Sequence, residues 1–200
     1  MYRNVYWHHA VRAATCMFKR AVRRTVTVGN IESAQVADAT DGALMERLFV
    51  ADPSGLARAV HDRRLYKRAL DLPASEVPAG TGGWIEADPA LLERVENALA
   101  RELGLEQDGL LLDFPARENM LAVDLPLRTR DGRLDRLTDR GWAGHLGLPR
   151  VAAELYQSAR RLRVFTNRPP PGGLTGILDL VALPHAEVAR QVDGGEPLLR

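Results

Sequence analysis

The sequence predicts an α+β protein that is mainly α: a helical N-terminal unit followed by a smaller α+β unit with a short, partly antiparallel sheet. Three observations carry that expectation. The first 70 residues repeat apolar positions at helical spacing. Leu121, Val123, Leu125 and Leu127 alternate strictly with other residues, the period of a strand with one buried face. Between these textures lies a stretch rich in proline and glycine, 72–87, which reads as a linker between units 1–71 and 88–200.

Each element follows from local chemistry. From Tyr2 to Val26, Tyr6, Ala10, Ala13, Met17 and Ala21 recur at i, i+4, i+7 spacing and define a buried face, with Gly29 as a stop signal. His8, Arg12, Thr15, Lys19 and Arg23 fall on the opposite stripe. A second helix is expected from about Asp41, which can cap it. Asp52-Pro53 supplies a cap with proline at the first helical position, and the third helix is expected to run to about Leu70. The next helix, Pro89 to about Leu103, has Asp88 as cap and Leu92, Val95, Ala98 and Leu99 as core face.

Leu110-Leu111-Leu112 then reads as a short buried strand. Pro126 places the alternating strand at a sheet edge, and Asp131-Gly132 signals a turn. A helix from Pro149 to Arg160 should lead into a strand through Leu162, Val164 and Thr166. The last 30 residues read as a weaker helix with a polar tail.

Composition excludes several classes. A net charge of +1 over 200 residues is not that of a polycation made to coat nucleic acid. One cysteine, Cys16, rules out an internal disulfide and a cysteine-based zinc site. No apolar run is long enough to span a bilayer. The Arg-rich, acid-free beginning is compatible with a mitochondrial presequence, but its large aromatics and scarcity of serine argue against one. The expected location is cytoplasmic, with no membrane partner.

Two features ask for chemistry. If the third helix continues to Leu70, Arg63 and Lys67 lie one turn apart within its apolar face of Leu56, Ala59, Val60, Tyr66 and Leu70. Buried cations need a counter-charge. They pair with acids, snorkel to the surface along their alkyl stems, or bind the phosphates of a ligand, and the spacing leaves all three readings open. The first helix carries Arg3, Arg12, Lys19, Arg20, Arg23 and Arg24 without one acid before Ile31, whereas exposed helices normally mix signs. A solvated surface and an anion-binding stripe both fit. His61-Asp62 is a short dipeptide of the kind that arises by chance, and no His-Glu-x-x-His, P-loop, Gly-x-Ser-x-Gly or dinucleotide fingerprint is present.

Read as text, Arg3-Asn4-Val5-Tyr6-Trp7-His8-His9 resembles the R-x-x-Y-x-H-K helix of HD-superfamily deoxynucleoside triphosphate triphosphohydrolases, which follows their metal-binding domain. Arg63-Arg64-Leu65-Tyr66-Lys67 resembles their R-x-L-Y-K motif. Leu112-Asp113-Phe114-Pro115 and the segment Ala159 to Phe165 are similar to their α+β tail.

The resemblance implies a C-terminal portion of a metal-dependent phosphohydrolase acting on nucleoside triphosphates. Its divalent metal would be held by an HD segment upstream of the matching residues, so no catalytic or metal-ligating residue is assigned here. Tyr6 would line a nucleoside pocket, while Arg3, His8 and His9 would approach phosphates near a subunit interface. Arg63 and Lys67 would bind a regulatory nucleotide between subunits. His9 stands where the motif has lysine, which weakens its charge at neutral pH. The implied partners are nucleotides and either further copies of the chain or an HD-domain chain. The alternative is a nucleotide-binding or oligomerisation module without catalysis. Nucleic-acid binding ranks last, because aromatic residues are not interleaved with the basic stripe.

Overall fold

The computed structural model describes residues 7–116, 124–128, 130–138 and 159–199. Within them the chain runs through α1 (His9–Thr27), α2 (Ser33–Ala37), α3 (Asp41–Ala51), α4 (Leu56–His61) and β1 (Lys67–Pro73). Then come α5 (Trp84–Ala87), α6 (Pro89–Glu102), β2 (Leu110–Asp113), β3 (Asp124–Arg128), β4 (Leu134–Thr138), β5 (Arg161–Thr166), α7 (Ile177–Ala182) and α8 (His185–Asp193). The class is α+β and mainly α, as the sequence predicts.

α1 starts and stops where its residues dictate. The His8 ring accepts a hydrogen bond from the Ala10 amide at 3.4 Å and caps the first turn. At the other end Gly29 adopts a positive φ of 77°, and the Gly29 and Asn30 amides close onto the Val26 and Thr25 carbonyls. Ala13, Met17 and Ala21 are buried as the spacing requires. α6 is equally direct: Asp88 accepts from the Ala90 and Leu91 amides, with Pro89 following it. α3 is capped by Thr40, one residue before the expected Asp41.

The third helix departs from expectation. Asp52 does organise its start, accepting from the Ser54 and Ala57 amides, but the helix begins only at Leu56 and ends at His61. Arg63 follows the C-cap Asp62 with φ 57°. Its amide bonds to the Val60 carbonyl, and the Arg64 amide bonds to that of Ala59. This is the paired closure that usually places glycine at the left-handed position. Arg63 and Lys67 therefore do not share a helical face: one sits in the closing turn, the other opens a strand.

That strand, β1, is an outer member of a three-stranded antiparallel sheet ordered β1-β5-β2. The stretch 72–87 contains the end of β1, a 3-10 turn at Ala74–Glu76, and α5, whose Trp84 and Ile85 are buried.

The sheet is covered on both faces, so its middle strand is almost wholly buried. Side chains alternate across it. Leu110, Leu112, Leu162 and Val164 join α6, α7 and α8 in one core. Leu111 and Phe165 join α1, α3 and α4 in the other. β3 and β4 form a separate hairpin around Asp131-Gly132, with Pro126 opposite Arg136 on a strand that has one neighbour among the described residues. Leu121, Val123 and residues 149–158 of the helix expected from Pro149 to Arg160 lie outside the described residues.

Candidate functional site

Cations occupy two contrasting settings. On α1, Arg20 is buried and reaches across to the second half of the chain, donating to Glu96 and, at 2.7 Å, to Asp108. Glu96 also accepts from the Leu112 amide at 2.6 Å. Arg24 meets Glu93 at 2.9 Å. One face further round, Arg12 makes a two-pronged contact with Asp113, Nε to Oδ2 at 2.9 Å and Nη2 to Oδ1 at 2.5 Å. Burial opposes the charge on Arg12, yet the hydrogen bond and field of Asp113 hold its pKa above the ordinary value.

Arg12, Arg20 and Arg24 of the acid-free helix are thus met by acids that arrive from α6, β2 and the loop between them. Of the stripe read as a solvated or anion-binding surface, only His8 and Lys19 are exposed. Desolvation of the half-buried Cys16 sulfur, reinforced by Asp113, pushes its thiol pKa up and leaves it protonated.

The second setting is the turn between α4 and β1. Arg63 and Lys67 are both exposed, so the inward orientation expected of them is not found. The physical reason is the helix closure at Arg63, which breaks the spacing from which that orientation was argued. The two nevertheless line a common recess of about 340 Å³ with His9, Arg68, Leu65 and Tyr66. A second recess of about 640 Å³ shares Arg63, Leu65, Tyr66 and Lys67 in its lining and adds Ser54, Arg58, Arg64 and Asn167. Among the described residues no acid lines either recess.

Arg64 pairs with Asp62 at 3.2 Å and Arg68 with Asp71 at 2.6 Å. Arg63 and Lys67 have no acidic partner among the described residues. Tyr66 forms the floor: its hydroxyl donates to the Asp108 carbonyl at 3.1 Å, and burial together with Asp108 pushes its pKa up to about 12.

His9 brings the start of α1 to this recess. Desolvation lowers its pKa, and the nearby His8, Arg68 and Arg163 charges lower it further against the pull of Asp71. The lowered pKa favours the neutral ring at pH 7. His8 stacks on His9 with centroids 4.1 Å apart but does not line the recess. Arg3 and Tyr6 lie outside the described residues. His61 and Asp62 are exposed at the end of α4, with His61 edge-on to Phe49. Among the described residues no three His, Cys, Asp or Glu side chains converge as metal ligands. No helix among them is long and apolar enough to cross a membrane.

Sequence reasoning brought His9, Arg63 and Lys67 forward and missed Arg58, Arg64, Arg68 and Asn167, which carry no motif of their own. It also missed the buried acids, although one signal was present. Glu96 stands four residues after Leu92 and three before Leu99, squarely on the core face of α6.

Basic residues from the start of α1, the α4–β1 turn and β1 thus line one groove at the start of the sheet. The family model described as "HD associated region" matches residues 1–140, and the chain belongs to that family. It is thereby tied to HD-domain proteins. No curated protein and no solved structure matches it.

Proposed function

We propose that this chain serves an HD-superfamily phosphohydrolase as the region that grips the phosphates of a nucleoside triphosphate and helps form the subunit interface. The metal and the bond-breaking step belong to the HD domain. The part of this chain is electrostatic: Arg63 and Lys67 offer a fixed fork and a mobile ammonium to phosphate oxygens, and His9 adds a third donor once a polyanion favours its protonated form.

One observation supports the reading above others. His9 and the Arg63/Lys67 pair, separated by more than 50 residues of chain, line one recess without an acid. Arg63 also holds a left-handed backbone that glycine would adopt with less strain. A residue kept there against its backbone preference has a use for its side chain.

Calorimetric titration of the chain with GTP, dATP and inorganic triphosphate tests the site. The Arg63→Ala/Lys67→Ala variant is expected to raise the dissociation constant at least about tenfold, since each charge-assisted hydrogen bond contributes about 1.5–3 kcal/mol. Unchanged affinity in that variant removes the site. Mixing the chain with an HD-domain partner and following triphosphate release from dNTPs tests the catalytic half. Binding without any such release leaves a nucleotide-binding module.

A further inference from the structure

The motifs at Asp113 and around Arg163 have no part in the phosphate contacts, yet they meet at one buried point. Arg163 lies on β5, the middle strand of the sheet, and is only 3% exposed. A guanidinium in the middle of a covered sheet is costly unless carboxylates and hydrogen bonds meet it. The geometry is selective about which groups do so.

Its Nη2 donates to the Trp7 carbonyl at 3.1 Å. Nε and Nη1 make no hydrogen bond; they face Asp71 at 3.4 Å and Asp113 at 3.6 Å. Those carboxylates accept their directed bonds from other groups, Asp113 from Arg12 and Asp71 from Arg161 and Arg68. Arg163 thus keeps its one well-formed bond for the backbone just before α1. Trp7 is itself buried, with the Arg12 guanidinium 4.9 Å over its ring.

Two walls of the recess hang on this arrangement. His9 is two residues beyond the carbonyl that Arg163 holds. Arg68 is fixed by Asp71, the acid that faces Nε of Arg163. From this juxtaposition we infer that Arg163 is a positioning residue for polyphosphate binding: it holds the start of α1, and with it His9, at a set distance from the Arg68 wall without touching the ligand. The inference rests on the phosphate reading of the recess.

Arg163→Lys tests it, keeping a positive charge near Asp71 and Asp113 while losing the fork that reaches the Trp7 carbonyl. Two measurements are made on the full chain. Amide hydrogen exchange compares the first turn of α1 with α6. Calorimetry with inorganic triphosphate is run as a double-mutant cycle with His9→Ala. The expected result is faster exchange confined to residues 9–12, an affinity about five- to tenfold weaker, and no additional weakening when Arg163→Lys is combined with His9→Ala. An effect that adds in full to that of His9→Ala, native-like affinity, or equal loosening of α6 overturns the inference.

Asp71→Asn provides a second variant should the lysine form be too unstable, with a smaller effect expected in the same direction and full affinity overturning the claim. If the native chain binds no triphosphate, the functional reading fails. Local exchange would then still uphold the anchoring of the helix start, and its absence would overturn that as well.

Discussion

α1 and the turn at 62–68 are both rich in cations, and the fold treats them in opposite ways. Arg12 and Arg20 swing beneath the surface onto Asp113, Glu96 and Asp108, partners 76 to 101 residues away in the chain. Arg63 and Lys67 remain at the surface, with no acid of their own among the described residues. Asp62 and Asp71, which flank them, are engaged by Arg64 and Arg68. A paired, buried cation is committed to holding the fold together. An exposed one with its neighbouring acids already occupied is free to meet an incoming anion. Cation-rich sequence alone does not separate the two; the location of the acids does.

The contrast can be broken most sharply in the buried set. Arg20→Met should leave Glu96 without its cation and Asp108 with only Arg24 at 3.7 Å, and cost about 3–5 kcal/mol of stability, the usual penalty for stranding a buried charge. Urea denaturation measures it, and a loss under about 1 kcal/mol would show that the network is not what ties α1 to α6. The Arg63→Ala/Lys67→Ala variant should do the reverse, weakening triphosphate binding at least about tenfold while moving the unfolding free energy by no more than about 0.5 kcal/mol.

Arg63→Gly sharpens the point further. It relieves the left-handed backbone and should stabilise the chain by about 1 kcal/mol while weakening triphosphate binding. Gains in both stability and affinity would contradict the role given to this side chain.

The smallest expected effect is on acid sensitivity. Burial pushes the Asp71 pKa up, but its hydrogen bond from Arg161 and the Arg163 charge outweigh that and hold it below the ordinary 3.8. A carboxyl depressed in the folded state contributes stability that is fully present above its unfolded pKa and is lost as pH falls through the folded one. Asp71→Asn should therefore flatten the stability profile below about pH 4 and leave its shape near neutrality unchanged. Identical acid profiles for the two proteins would dismiss the link.

How far the sequence could be read is seen in two helix ends. α1 stops at Gly29, and the glycine announces it. α4 stops by the same pair of backbone closures, but with Arg63 in the left-handed position, where nothing in the residue type marks an end. Leu56, Ala59, Val60, Tyr66 and Leu70 fall at helical spacing across that break, so apolar periodicity carried the helix past the point where hydrogen bonding ends it.

Asp88-Pro89 and the apolar runs of β2 and β5 were readable because each depends on neighbours within a few residues. The partners of Arg12 and Arg20 were not, since they depend on which strand lies beside which. In the first recess His9, Arg63 and Lys67 were legible by resemblance, whereas Arg68 enters it because β1 begins as a strand at Lys67, and Asn167, just past β5, lines only the second recess.

β5 has a consequence for how the chain must assemble. Among the described residues it alone links β1 and β2 in the sheet, and it is made at residues 161–166, beyond the 1–140 segment that the family model matches. During synthesis the two outer strands and the arginines of α1 are complete long before their shared centre leaves the ribosome. The matched segment, expressed by itself, would have two strand edges waiting for a missing middle, and is expected to aggregate where the longer chain folds.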